Sequence, residues 1–503
     1  MPEETLLKGD RSIDGCLHYF WKGRETVTDG QGTDTLRRNH LTTWDAIAQS
    51  FGFLGPVMVV SFLTSFAAMG AGAAVPLAAL LGGIACLTIA YIVSQYATRT
   101  AAAGSLYNYI TKSLGPSAGF IGGWIYFVAV LLLTVAIIAG VGGWAAMLVK
   151  DVTGAEIPWV VFSFLEIALL FMLTYFDVRM STRTQLTLAF LSVLLVLGFT
   201  LSIVLRGGAE GVTLAPFSPD TAPGGWGGVA FGLIYGILFY TGFESAASLG
   251  EETANPRQSI PKAIMGCVIA GTIFYVIVTF GMATGFGASG AEKWAGDTTA
   301  MYTLAGQYGG PVVLFLITLA AIIDGFAVSV GCLNCSARIG FAMGRDGALP
   351  RFLGRSHSKY QTPYLANTFV LGLALAMAII FTLAQGAEGW GAEFGYLSAV
   401  GALLVELIYG FIAIAALIYF PKLFKGEYNV FSHIIVPIIG LLAVLAAIYG
   451  SVQPNPDPFM ATTPYVVLAF VVLGILLALY LRATQPGLVS RIGQRLAEDE
   501  ASA

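Results

Sequence analysis

The sequence predicts an all-α polytopic membrane protein: twelve transmembrane helices arranged as two inverted five-helix repeats plus two C-terminal helices. Three observations carry that prediction. The first is composition: 503 residues are 56% hydrophobic and only 11% charged, with a mean hydropathy of +0.78. A soluble domain carries roughly 25% charged residues. The second is segmentation. Twelve apolar stretches follow one another, each long enough to cross a bilayer at about 20 residues per helix. The third is the placement of positive charge. With the N-terminus inside, 22 of the 25 Lys and Arg fall on the inner side and only Lys150, Arg206 and Lys293 on the outer side. This is the positive-inside bias, and it predicts N-in and C-in.

In chain order, residues 1–40 form a polar, inner N-terminal tail with no cleavable signal peptide. Residues 41–206 hold the first five-helix repeat, with spans at 45–70, 74–97, 116–149, 157–176 and 185–205. Residues 207–425 hold the second, at 228–249, 260–287, 310–343, 363–385 and 393–420. Residues 426–482 carry helices eleven and twelve, at 432–451 and 462–482, before an inner tail, 483–503. The third and eighth spans are the longest, and each starts after Gly-Pro: Gly115-Pro116 and Gly310-Pro311. They lie five spans apart, as do the first and sixth, which are both interrupted. The first is broken at Gly52–Pro56, where proline removes a donor and clashes with the preceding turn. The sixth weakens at Tyr240-Thr241-Gly242-Phe243 and stops in the polar turn Glu251-Glu252-Thr253-Ala254-Asn255-Pro256. An odd offset makes the two units inverted, and paired broken helices in an inverted repeat point to a transporter site. Unsatisfied backbone at membrane depth needs protein or a water-filled cavity around it.

Four acids fall within spans: Glu166, Glu244, Asp324 and Glu406. No Lys or Arg is expected at their depth. A charge at the bilayer centre costs roughly 2.5–3.5 kcal/mol on insertion scales, so each acid must be neutralised, reach water or meet a cation. Glu166 and Glu406 fit neutral acids hydrogen-bonded between helices. Glu244, in the broken segment, and Asp324, on the long eighth helix, fit proton coupling or recognition of an ammonium group. The helix start at the first break offers free N–H groups to an anion such as a substrate carboxylate. Carbonyls near Phe239-Tyr240-Thr241 suit an ammonium. The expected substrate-binding residues are therefore Gly52, Phe53, Leu54, Gly55, Pro56, Tyr126, Phe239, Tyr240, Thr241 and Gly242. Glu244, Asp324 and Phe243 are the expected coupling and gating residues.

Other chemistries find little support. No phosphate-binding glycine loop occurs, which argues against ATP-driven transport. His18, His40, His357 and His433 lie in tails, loops or at a span edge, which argues against a buried metal site. Of Cys16, Cys86, Cys267, Cys332 and Cys335, only the last two are spaced as CxxC, and inside a membrane helix they read as packing residues. Nothing suggests a nucleic-acid partner, an enzyme's nucleophile–base pair or a channel's polar ring. The partners expected are a small-molecule substrate and the lipid bilayer.

The chain after residue 45 resembles the amino acid–polyamine–organocation permease superfamily. The resemblance rests on Gly242-Phe243-Glu244-Ser245-Ala246-Ala247 with Glu251-Glu252-Thr253, Asn255-Pro256 and Ile260-Pro261-Lys262-Ala263. It also rests on Ala103-Gly104-Ser105 with Tyr107, Leu114-Gly115-Pro116 and Gly122-Gly123-Trp124, and on Ser336-Ala337-Arg338 with Gly344-Arg345-Asp346-Gly347-Ala348-Leu349-Pro350. It implies a LeuT-like fold and secondary transport of amino acids by alternating access, proton-coupled or exchanging, with sodium left open and no cofactor. It further implies a cell-membrane location and a gating or pH-response role for Glu244. The alternatives are a polyamine or amine transporter of the same superfamily and a non-transporting nutrient sensor. In two places the chain departs from the family. It reads Leu54-Gly55-Pro56 where a Gly-Ser-Gly-like triplet is common, and proline lacks an N–H for a carboxylate. Its fifth span also has no lysine, so any proton carrier is another group.

Overall fold

Glycine followed by proline sets three of the helix starts. Pro116 and Pro56 open their helices directly after glycines of positive φ (Gly115, 88°; Gly55, 58°). Gly310 (φ 70°, ψ −172°), followed by Pro311, bends a third helix. A first-turn N–H has no helical partner, so proline's missing donor is harmless there, and its fixed φ suits the helix. In the computed structural model, residues 36–484 are described apart from 101–102, 177, 298, 387–388 and 453–457. Residues 1–35 and 485–503, with Cys16 and most of the two expected tails, lie outside it.

The helices are α1 (Thr43–Leu54), α2 (Pro56–Ala71), α3 (Val75–Ala97), α4 (Leu106–Leu114), α5 (Pro116–Thr153), α6 (Trp159–Phe176), α7 (Val178–Leu205), α8 (Trp226–Leu238), α9 (Pro256–Phe286), α10 (Ala291–Gly296), α11 (Ala300–Arg345), α12 (Tyr364–Gln385), α13 (Gly389–Leu423), α14 (Val436–Ser451) and α15 (Thr463–Thr484). Among the described residues there is no β-sheet, only an isolated parallel bridge between Leu41 and Thr253. Among the described residues, eleven helical runs are long and apolar enough to cross a membrane, against twelve expected segments. The difference lies at the start: the expected spans 45–70 and 74–97 form one run, Thr43–Ala97. Between them the chain leaves the helical path at Gly72 (φ 54°, ψ −126°) and passes through a 3-10 turn, Gly72–Ala74, so the run holds α1–α2 and α3 as separate segments.

Burial ranks the helices. In α5, 94% of the most apolar window is buried in the protein, against 28% in Phe431–Ser451 and 22% in Met460–Thr484. So α5 is central, and α14 and α15 are peripheral. Large side chains such as Leu442, Leu445, Leu476 and Leu479 stand exposed on those two helices. With the backbone bonded inside each helix, such a face is stable against hydrocarbon. Near the core, α8 lies directly on α3: a Cβ on Gly236 would stand 2.5 Å from the Ala78 carbonyl oxygen. Small residues permit that approach between membrane helices. The α1 start is fixed by a capping box, with Thr42 and Asp45 each bonding the other's backbone N–H. Thr182 of α7 also donates to Asp45 at 2.9 Å.

Candidate functional site

The two interrupted helices meet at their breaks. Between α1 and α2, Gly55 sits in the left-handed region (φ 58°, ψ 57°). After α8 the chain turns at Gly242 (φ 103°, ψ −8°) and continues as a 3-10 segment, Phe243–Leu249. Only glycine takes such angles at little cost. A Cβ on Gly242 would lie 2.5 Å from the Phe53 ring, so that ring covers the second break. Hydrogen bonds tie α1 to the 3-10 segment. The Ser50 hydroxyl donates to the Phe243 carbonyl at 2.5 Å and accepts from the Ala246 amide at 3.1 Å. Ser245 donates to the Gln49 carbonyl at 3.1 Å.

Each break carries a buried acid. Because Pro56 has no N–H, the first free donors of α2 are Val57 and Met58. Their amides donate to one oxygen of Asp324, on α11, at 2.9 and 2.8 Å. Its other oxygen accepts from Ser192 of α7 at 3.3 Å. Glu244 accepts from Tyr126 of α5 at 3.0 Å on one oxygen and from Tyr409 of α13 at 2.5 Å on the other. The Tyr126 hydroxyl also lies 3.5 Å from the Cys335 sulfur. Neither acid has an ion-pair partner among the described residues. The four described cysteines are buried and free.

Phe53, Gly55, Pro56, Gly242, Phe243, Glu244, Asp324 and Tyr126 thus fall at or beside the breaks. Gly52 instead faces the Gln185 side chain. Tyr240 donates to the Ala79 carbonyl at 3.1 Å and packs with Phe239 around Tyr275. Leu54 is buried and Thr241 half-buried. Tyr409 and Ser192 were not among the expected residues: ordinary residues of apolar helices, they carry no local signal. One expectation needs correcting. Glu393, the first residue of the expected span 393–420, was not counted among the span acids, but it is buried one turn inside α13, which begins at Gly389. Glu393 and Glu166 are buried without a hydrogen-bond partner among the described residues, whereas Glu406 accepts from Ser451 at 3.1 Å. Further along α2, α5 and α11, Ser61, Trp144, Asp151, Tyr302 and Thr318 line a small pocket.

At the opposite end of the 3-10 segment, residues from the three sequence motifs converge. Arg338 pairs with Glu252 at 2.5 Å, both almost fully buried. Arg345 holds Glu251 through two contacts, at 2.7 and 3.0 Å. The Ala103 amide donates to Glu251, and Tyr107 donates to Asp346. His40 and Leu41 amides donate to the Glu252 carbonyl. Burial alone would push the Glu251 carboxyl up, but the Arg345 guanidinium overrides this and holds it below its ordinary value of 4.5. The pair therefore stabilises the fold fully above pH 4.5, and that contribution is lost as pH falls through the lowered value. Thermal unfolding should weaken with acid in that window for the wild type and less so for Glu251→Gln. Equal slopes in the two proteins would contradict this assignment.

A helical bundle with two backbone breaks set against buried, unpaired acids at membrane depth defines a transporter. The amino acid permease family model matches residues 41–477, and the chain belongs to that family. It is a multi-pass membrane protein with a small-molecule substrate, not an enzyme. It is similar to the methylthioribose transporter of Bacillus subtilis (strain 168), 26% identical over 369 residues, covering 71% of this chain and 77% of that protein. The branched-chain amino acid permease BcaP of the same organism is 26% identical over 323 residues, covering 61% and 67%. The low-affinity putrescine importer PlaP of Escherichia coli (strain K12) is 26% identical over 385 residues, covering 74% and 79%. A crystal structure of the Eremococcus coleocola manganese transporter matches with a TM-score of 0.53 at 12% identity, over 94% of this chain and 99% of that one. At that identity the match speaks for the fold alone.

Proposed function

We propose that the chain is a secondary active transporter that carries small amine-bearing solutes, amino acids or organic amines, across the cell membrane by alternating access. The observation that carries this reading is the pair of facing breaks at Gly55 and Gly242, each beside a buried acid. The recurrence of glycine of positive φ before Pro116 and before Pro311 supports two inverted repeats at 41–206 and 207–425. Twelve crossings with both termini inside agree with the charge bias of the sequence. In this reading the expected binding residues around the breaks hold the solute. Glu244, bridged by Tyr126 and Tyr409, carries the coupling proton, and Phe53 and Phe243 gate. The relatives' names, covering a thioribose, branched-chain amino acids and putrescine, support a small organic solute.

Purified protein in liposomes should accumulate a labelled amino acid or amine when a pH gradient or counter-substrate is imposed. Glu244→Gln should lose the dependence on the pH gradient while keeping exchange. No accumulation of any amino acid or amine under either drive would sink the transporter reading. An unchanged pH response in Glu244→Gln would move the coupling role to another acid.

A further inference from the structure

The amides of Val57 and Met58 are donors that a helix start leaves without helical partners. At an interrupted membrane helix, such an end is where an anionic substrate group docks. In this protein those donors are taken. One oxygen of Asp324 accepts from both, at 2.9 and 2.8 Å, and the other accepts from Ser192. The carboxylate is fully buried and arrives from a different helix, α11. Pro56, at the first helical position, adds no further donor.

The charge around the breaks points the same way. Asp324 and Glu244 both lack an ion-pair partner among the described residues. A substrate carboxylate would find its donors occupied, and would meet a like charge wherever either acid is ionised. Juxtaposed like charges exclude a ligand strongly. An ammonium group instead meets carboxylates and the rings of Phe53, Phe243, Tyr126 and Tyr409, and aromatic faces attract cations.

We propose that Asp324 takes the place of a substrate carboxylate, so that the transported solute is an organic amine without a free carboxylate. Asp324 is then the residue that decides between amines and amino acids. This rests on the transporter reading above.

The test uses pairs of compounds that differ only by the carboxylate: ornithine against putrescine, and leucine against isopentylamine. Binding to the detergent-purified full chain is read by thermal shift and by competition for uptake in liposomes. In the wild type the amine of at least one pair is expected to bind roughly 100-fold more tightly than its amino acid. Asp324→Ala, which frees both amides, should close that gap by about 10-fold or more. Asp324→Asn keeps the shape without the charge, and should close it in part even if the alanine variant does not fold. An amino acid that binds the wild type as well as its amine overturns the inference and leaves the transporter reading standing. If no compound binds or is carried, the transporter reading fails with it. A preference for the amine that is unchanged in the folded variants removes Asp324 as its cause.

Discussion

Arg338→Ala should destabilise the protein by about 3–5 kcal/mol, the range found when one partner of a buried ion pair is removed. Its guanidinium reaches Glu252 through two contacts, at 2.5 and 3.2 Å, and donates to the Asn334 carbonyl at 3.0 Å. The two side chains are 1% and 2% exposed, so water cannot replace the lost partner. Truncating the arginine strands a buried carboxylate. Truncating Glu252 strands a guanidinium, with a similar expected loss. The pair also anchors backbone, because the Glu252 carbonyl takes the His40 and Leu41 amides. Replacing both partners with apolar residues of similar volume should recover most of the loss, since neither charge then needs desolvation. Denaturant unfolding of the single and double variants decides the matter. A loss below about 1 kcal/mol for Arg338→Ala would put the pair in the class of exposed salt bridges.

Local chemistry was legible in the sequence, and contacts across the chain were not. The breaks at Gly55 and Gly242 could be read because glycine and proline act on their own backbone, whereas Gly310-Pro311, expected as a helix start, is a bend within α11. The acids could be located because a charge inside an apolar run is conspicuous at any position. What each acid touches could not be read. Glu244 meets Tyr126 and Tyr409 across 118 and 165 residues, and Asp324 meets Met58 across 266. A tyrosine in an apolar helix looks the same whether it packs, as Tyr240 does, or binds an acid, as Tyr409 does. The donors at the first break were expected around Gly52–Pro56, but Pro56 moves them to Val57 and Met58. Glu393 was passed over because the expected boundary put it at the edge of its span, whereas α13 starts four residues earlier.

Gly242→Leu should abolish transport while leaving the bundle folded. At φ 103° an L-residue carries strain of roughly 1–2 kcal/mol that glycine avoids. Its Cβ would also meet the Phe53 ring at 2.5 Å, and overpacking of that kind costs roughly 1–3 kcal/mol more. Relief requires Phe53 to move, and Phe53 stands two residues before Gly55, so the distortion reaches the first break. If about 3 kcal/mol of it is expressed at the site, affinity falls about 100-fold. Gly242→Ala carries the same backbone strain and the same Cβ but less bulk, and should lose less. Combining it with Phe53→Ala removes the steric conflict and leaves the strain, so any recovery measures the contact between the two breaks. Uptake and binding are measured together with thermal unfolding, which separates a blocked site from a misfolded one. Wild-type affinity in a folded Gly242→Leu protein would place the substrate away from the breaks.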